Sequence, residues 1–174
     1  GDGDSVETAA TVVGITLPAS LDFVAPQQPL SRAATAVVVD PTSIIGLVAD
    51  VALTPEGRVR VTRLTATVDA GHAVQPDIVR SQVEGALVFG LSAALYGEIH
   101  IEGGKAVESN FFDYRLVTLA DCPAIDVQLV PGGDLPGGIG EVGTPPVAPA
   151  VANAVFAATG RRTRQLPLAG QDRA

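Results

Sequence analysis

The sequence has no methionine, no tryptophan, one cysteine and two histidines. Each scarcity removes a class of chemistry. Cys122 has no second thiol in the chain, so it forms no internal disulfide and cannot hold an iron–sulfur cluster. His72 and His100 stand far apart, without the spacing that marks a protein-bound metal, so no side-chain metal ligand is expected. Cations are also few: Lys and Arg total 11 against 19 Asp and Glu, giving a net charge of -8. That balance excludes a nucleic-acid surface, which needs clustered Lys and Arg. The one basic cluster, Arg161, Arg162 and Arg164, reads as cations following a helix C-terminus. Long apolar runs are missing, so no membrane span is expected, and no signal peptide opens the chain. Without methionine, the chain is expected to begin after removal of an initiator Met ahead of Gly1, or at a processing boundary.

What is present is a folded chain. It is 47% hydrophobic and only 17% charged over 174 residues, enough for one domain or part of a larger one. Aromatics make up 4%, and the apolar content is largely Ala and Val. A core so thin in large side chains points to some burial against a partner surface.

Residues 1–30 read as an irregular N-terminal segment or linker, with a possible strand at Thr11 to Leu17 before Pro18, Pro26 and Pro29. Asp2, Asp4 and Glu7 lack the glycine and later ligands of a calcium loop. From residue 31 to 174 the pattern is that of a domain. Ala36 to Val39 and Ile44 to Leu53 read as strands, and Thr54-Pro55-Glu56-Gly57 is strong turn chemistry. Arg58 to Val68 alternates, with a slip near Thr62, and closes a hairpin with the preceding strand. Apolar residues then recur at helical spacing from Asp77 to Tyr96, opened by Pro76. Gly85 and Gly90 cost that helix roughly 1 kcal/mol each against Ala. Either another backbone or ligand packs on them, or they are tolerated in an ordinary core helix. A second hairpin is expected around Glu102-Gly103-Gly104, and a strand at Ala124 to Val130. The fold class is α+β, with antiparallel strands, hairpins and two main helices.

The chain is organised around Gly137-Gly138-Ile139-Gly140-Glu141-Val142-Gly143-Thr144-Pro145-Pro146. Closely spaced glycines allow close backbone approach. The carboxylate of Glu141 has no cation within six residues on either side. Thr144 reads as an N-cap and Pro145 as the first residue of a helix that Gly160 ends. These ten residues alone favour a solvated glutamate in a tight turn over a reactive centre.

Ordered blocks along the chain add a resemblance. Val68-Asp69-Ala70-Gly71, Arg80-Ser81-Gln82-Val83-Glu84-Gly85-Ala86, Gly90-Leu91-Ser92-Ala93-Ala94-Leu95, Ser109-Asn110-Phe111, Gly138-Ile139-Gly140-Glu141 and Pro149 to Ala154 come in series. From about Ile44 to Leu168 the chain resembles the carboxy-terminal part of the molybdopterin-binding large subunit of molybdenum hydroxylases, the xanthine dehydrogenase and aldehyde oxidase family. The bacterial isoquinoline 1-oxidoreductase β-subunit type, with its aldehyde dehydrogenase relatives, is the nearest likeness.

The resemblance implies an oxidoreductase that oxidises an aldehyde or N-heterocycle with water-derived oxygen. It implies molybdenum on molybdopterin cytosine dinucleotide, shared with a larger molybdopterin-binding chain, and [2Fe–2S] clusters on another subunit. It makes Glu141 the catalytic base, puts Gln82 on the cofactor, and suggests that the amides of Gly138, Gly140 and Gly143 face anionic ligands. Val142 replaces the family's usual proline, which implies a looser loop; Ala70 and Gln75 replace a common cysteine and asparagine. The family's large subunits are several times longer, so this chain is expected to be a separate gene product or a cleaved piece, cytoplasmic or periplasmic. The alternative is a non-catalytic assembly subunit that retains the fold.

Overall fold

The computed structural model describes residues 32–40, 42–55 and 57–170. The irregular segment at 1–30, with its expected strand at Thr11 to Leu17, lies outside these.

Three strands open the fold: β1 (Arg32–Asp40), β2 (Ser43–Leu53) and β3 (Val59–Asp69). They form an antiparallel meander, with Gly57 at φ 80° in the β2–β3 turn. The break in alternation near Thr62 is a β-bulge: Asp50 pairs with Arg63 and Val51 with Val61, leaving Thr62 without a partner in the register. Its hydroxyl donates to the Asp50 carbonyl instead, at 3.2 Å. The bulge restores the phase, so Val61, Leu64, Ala66 and Val68 all reach the face that also buries Ile45, Leu47, Ala49 and Val51.

Helix α1 (Pro76–Tyr96) follows, with Pro76 in its first turn and Asp77 near its positive end. A two-stranded hairpin, β4 (Ile101–Glu102) and β5 (Lys105–Ala106), comes next. Strand β6 (Ala124–Val130) then joins the main sheet in the order β1-β2-β3-β6. Its pairing with β3 is parallel, beside the antiparallel pairs of the meander and the hairpin. The physical reason is the connection: a parallel neighbour needs a long crossover, and α1 supplies it. Helix α2 (Val147–Thr159) packs across β1 and β2 and against α1, which in turn packs on β6. Gly160 caps α2 in the left-handed conformation at φ 72°, its amide bonded to the Phe156 carbonyl at 2.7 Å. Beyond the cap, the Arg162 guanidinium stacks on Phe156.

The result is two layers, a sheet and a helical pair, around a core of Val, Leu, Ile and Ala. By length and mean hydropathy (1.3) α1 would qualify to cross a membrane, contrary to expectation. Its apolar face is spent inside the domain, where Val83, Leu87, Leu91, Ala94 and Leu95 are buried.

Candidate functional site

The first half of the glycine-rich stretch is a strap. Gly137 donates its amide to the Ala70 carbonyl at 2.7 Å, and His72 donates to Leu135 at 3.0 Å. A Cβ on Gly137 would run into the Thr42 carbonyl, so glycine is required for this approach. Gly138 continues the strap: its amide donates to Thr42 Oγ1 at 2.9 Å, and its carbonyl accepts from Ser43 Oγ at 2.6 Å. The expectation of a free Gly138 amide facing an anion is therefore corrected, because the β1–β2 turn already occupies it.

The second half lines a cleft. Gly140, Glu141, Thr144 and Pro145 line one wall of an open cleft of about 490 Å³, and Gln82, Gly85, Ala86 and Phe89 of α1 line the other. Three of the four expected site residues, Gln82, Gly140 and Glu141, thus meet here, and Gly138 lies outside. Among the described residues, neither the Gln82 amide nor the Glu141 carboxylate has a hydrogen-bond or ion-pair partner, so both face solvent with their polar groups uncommitted. A Cβ built on Gly85 or Gly140 would meet nothing within 4 Å, so both glycines leave open space on the cleft walls.

Two contacts hold the walls in place. A Cβ on Gly143 would lie 2.8 Å from the Ala86 Cβ, so this buried glycine lets the loop sit directly on α1. Val142 is only 6% exposed and belongs to the core. Where the proline-to-valine replacement led to the expectation of a looser loop, burial of the valine side chain ties it down.

Thr144 does not cap the helix as expected. The cap position is Pro146, and the Thr144 hydroxyl instead reaches the Ala86 carbonyl at 3.4 Å. Turns bridge the gap: Thr144 N–H bonds the Glu141 carbonyl at 3.0 Å, and Val147 N–H bonds the Thr144 carbonyl at 3.3 Å. Pro146 has no N–H, and the Val147 N–H goes to the Thr144 carbonyl, so the Thr144 hydroxyl is left for α1.

Phe89, Ala86, Thr144 and Pro145 were not singled out from the sequence as site residues. A signal existed for the first two: counting from Gln82, steps of four and seven on a helix reach Ala86 and Phe89 on the same face. The wall formed by Thr144 and Pro145 depends on how the loop folds back, which no spacing encodes.

Comparison with known proteins identifies the domain. Residues 34–123, just over half of the chain, match the family described as the molybdopterin cofactor-binding domain. Isoquinoline 1-oxidoreductase subunit beta of Brevundimonas diminuta is 37% identical over 113 residues, covering 65% of this chain and 14% of that protein. A membrane-bound aldehyde dehydrogenase of Gluconacetobacter polyoxogenes, whose name carries pyrroloquinoline quinone, is 40% identical over 67% of this chain and 15% of its own length. In structure, the chain is similar to quinoline 2-oxidoreductase from Pseudomonas putida 86, with a TM-score of 0.65 and 25% identity over 72% of this chain and 17% of that one. CO dehydrogenase from Oligotropha carboxidovorans shares the fold, with a TM-score of 0.66 at 20% identity over 75% of this chain and 18% of that one. The chain therefore spans less than a fifth of the length of these proteins. With the match running through β1, β2, β3 and α1, the chain belongs to the molybdopterin cofactor-binding domain family of the molybdenum hydroxylases.

Proposed function

We propose that the chain supplies one wall of the reaction centre of a molybdenum hydroxylase, with Glu141 as catalytic base and Gln82 and Gly140 against the cofactor. The reading is supported above all by the meeting of Gln82 and Glu141, remote in sequence, across one cleft with uncommitted polar groups. The donor set suits an organic cofactor rather than a bare ion: among the described residues no cluster of His, Cys, Asp and Glu could hold a metal. A pterin dithiolene brings its own ligands to molybdenum, so this wall has to offer only hydrogen bonds and shape.

When bound, the molybdenum–pterin group supplies a two-electron acceptor and activates a water-derived oxygen. The residues of this chain do the rest. The primary amide of Gln82 can donate and accept at once, which suits the mixed edge of a pterin. Gly85 and Gly140 leave room for close approach. Glu141, with no cation paired to it among the described residues, is available to take a proton from the oxygen nucleophile. Phe89 on one wall and Pro145 on the other give the cleft apolar surface, suited to the unreactive part of an aldehyde or N-heterocycle.

The cleft is open, so a larger molybdopterin-binding chain completes the site, and the cofactor is shared with it in the cytosine dinucleotide form. Electrons leave to [2Fe–2S] clusters on another subunit, since Cys122 is the single cysteine here. The competing reading, an assembly subunit without catalysis, leaves the uncommitted Glu141 without a purpose. Analysis of the assembled complex tests the proposal. About one molybdenum per complex, with cytidine monophosphate released on acid hydrolysis, is the expected result. A complex holding a quinone and no molybdenum would overturn it.

A further inference from the structure

Between Gly97 and Cys122 the chain leaves the core, and not one residue of this excursion is buried. It is nevertheless internally tied. The Glu108 carboxylate accepts from the His100 amide at 2.8 Å and contacts the His100 ring at 2.6 Å, closing the β4–β5 hairpin. The next turn is tied by Asp113, whose carboxylate accepts from Ser109 N–H, Ser109 Oγ and the Asn110 side chain at 3.0–3.2 Å. Asn110 in turn accepts from the Phe112 amide at 2.7 Å. The far end is fastened to α1, with Val117 N–H on Ser92 Oγ at 3.1 Å and Arg115 stacked on Tyr96.

This polar framework presents apolar side chains outward. Phe111 and Phe112, the two central residues of the Asn110–Asp113 turn, are 94% and 99% exposed, and Leu119 is 95% exposed. Ile101, Val107 and Leu116 add to the same excursion. A chain with so few aromatics places two of its five phenylalanines at the tip of one tied turn. Apolar side chains held in water on an ordered turn act as anchors for a partner, because their ordering cost is met before binding.

From this arrangement we infer that the 97–122 excursion is a docking arm for the larger molybdopterin-binding chain, with Phe111 and Phe112 as anchors in an apolar recess. This inference rests on the proposed function, which requires such a chain. Two observations select the occupant. All of the excursion lies inside the matched domain at 34–123, so it is part of what the chain shares with relatives several times longer, not an addition peculiar to it. Its acidic side chains also outnumber Lys105 and Arg115, so the recess is expected to carry a rim of Arg and Lys.

The test measures binding of the full chain to the part of the same source's molybdopterin-binding polypeptide that precedes the stretch matched here, by titration calorimetry. The double variant Phe111→Ser/Phe112→Ser is expected to bind roughly tenfold more weakly or worse, with unchanged circular dichroism. Leu119→Ser, outside the tied turn, is a second variant should the first misfold, and is expected to weaken binding severalfold. Unchanged affinity in both would overturn the docking arm. So would a dimer of this chain that the double variant dissolves, since the occupant would then be a second copy. Failure of the proposed function shows separately, as an assembled wild-type complex without molybdenum.

Discussion

Gly90 of α1 lies against Thr144 so closely that a Cβ on Gly90 would stand 2.8 Å from the Thr144 carbonyl oxygen and 2.9 Å from Val147 Cγ2. Contact at that range sets the spacing between the helix carrying Gln82 and the loop carrying Glu141. Gly85, one and a half turns earlier on the same helix, meets nothing. The two glycines therefore answer differently to the same substitution. Gly90→Ala is expected to destabilise the fold by about 1–3 kcal/mol through overpacking. Gly85→Ala is expected to stabilise it by up to ~1 kcal/mol through helix propensity. Denaturant midpoints of the two variants check this, and equal shifts would remove the distinction.

Glu141→Gln keeps size and shape while removing the proton acceptor. In the assembled enzyme the expected outcome is normal molybdenum content and a substrate-driven reduction rate lower by about 10²–10⁴-fold. A single-turnover measurement decides it. Reduction at the wild-type rate with intact cofactor would leave this chain as a structural subunit.

The isolated chain is expected to bind no molybdopterin stably, since the cleft between α1 and the Glu141 loop is open to solvent. Molybdenum analysis after purification without a partner is the measurement. A stoichiometric content would mean that the site is self-contained.

The hairpin after α1 should respond to pH. The hydrogen bond to Glu108 raises the His100 pKa above 6.5, helped by the charges of Glu108 and Glu98. The same hydrogen bond holds Glu108 below its usual 4.5. The histidine's contribution is complete below 6.5 and is lost as pH rises through the raised value. The glutamate's contribution is present above 4.5 and is lost as pH falls through the lowered value. Protection of the Val107 amide, which bonds the His100 carbonyl, should therefore be greatest between about pH 4.5 and 6.5. Hydrogen exchange followed against pH reads it out, and His100→Gln should flatten the upper limb. A wild-type profile that varies only with intrinsic exchange would dismiss this role of the His100–Glu108 pair.

Much of this molecule was legible in its residue order. Apolar spacing located β2, β3, α1 and β6 because burial on one face imposes a period of two on strands and 3.6 on helices. The lapse in that period near Thr62 marked the bulge, and Gly160 marked the end of α2, because both are local backbone requirements. The series of ordered blocks from Val68 to Ala154, those around Gln82 and Glu141 among them, pointed to the family.

Other features exist only once the chain is folded. The parallel pairing of β6 with β3 depends on where the α1 crossover returns the chain, and a strand's own pattern does not say which neighbour it takes. Gly138 and Gly140 look alike in sequence, yet the amide of one is taken by Thr42 while the other lines the cleft. Gly85 and Gly90 are likewise alike in sequence, and only the position of Thr144 makes one indispensable. Local periodicity records which side of an element is buried. What lies against that side is set by contacts between residues far apart in the chain, and that is why the cleft belongs to the tertiary structure.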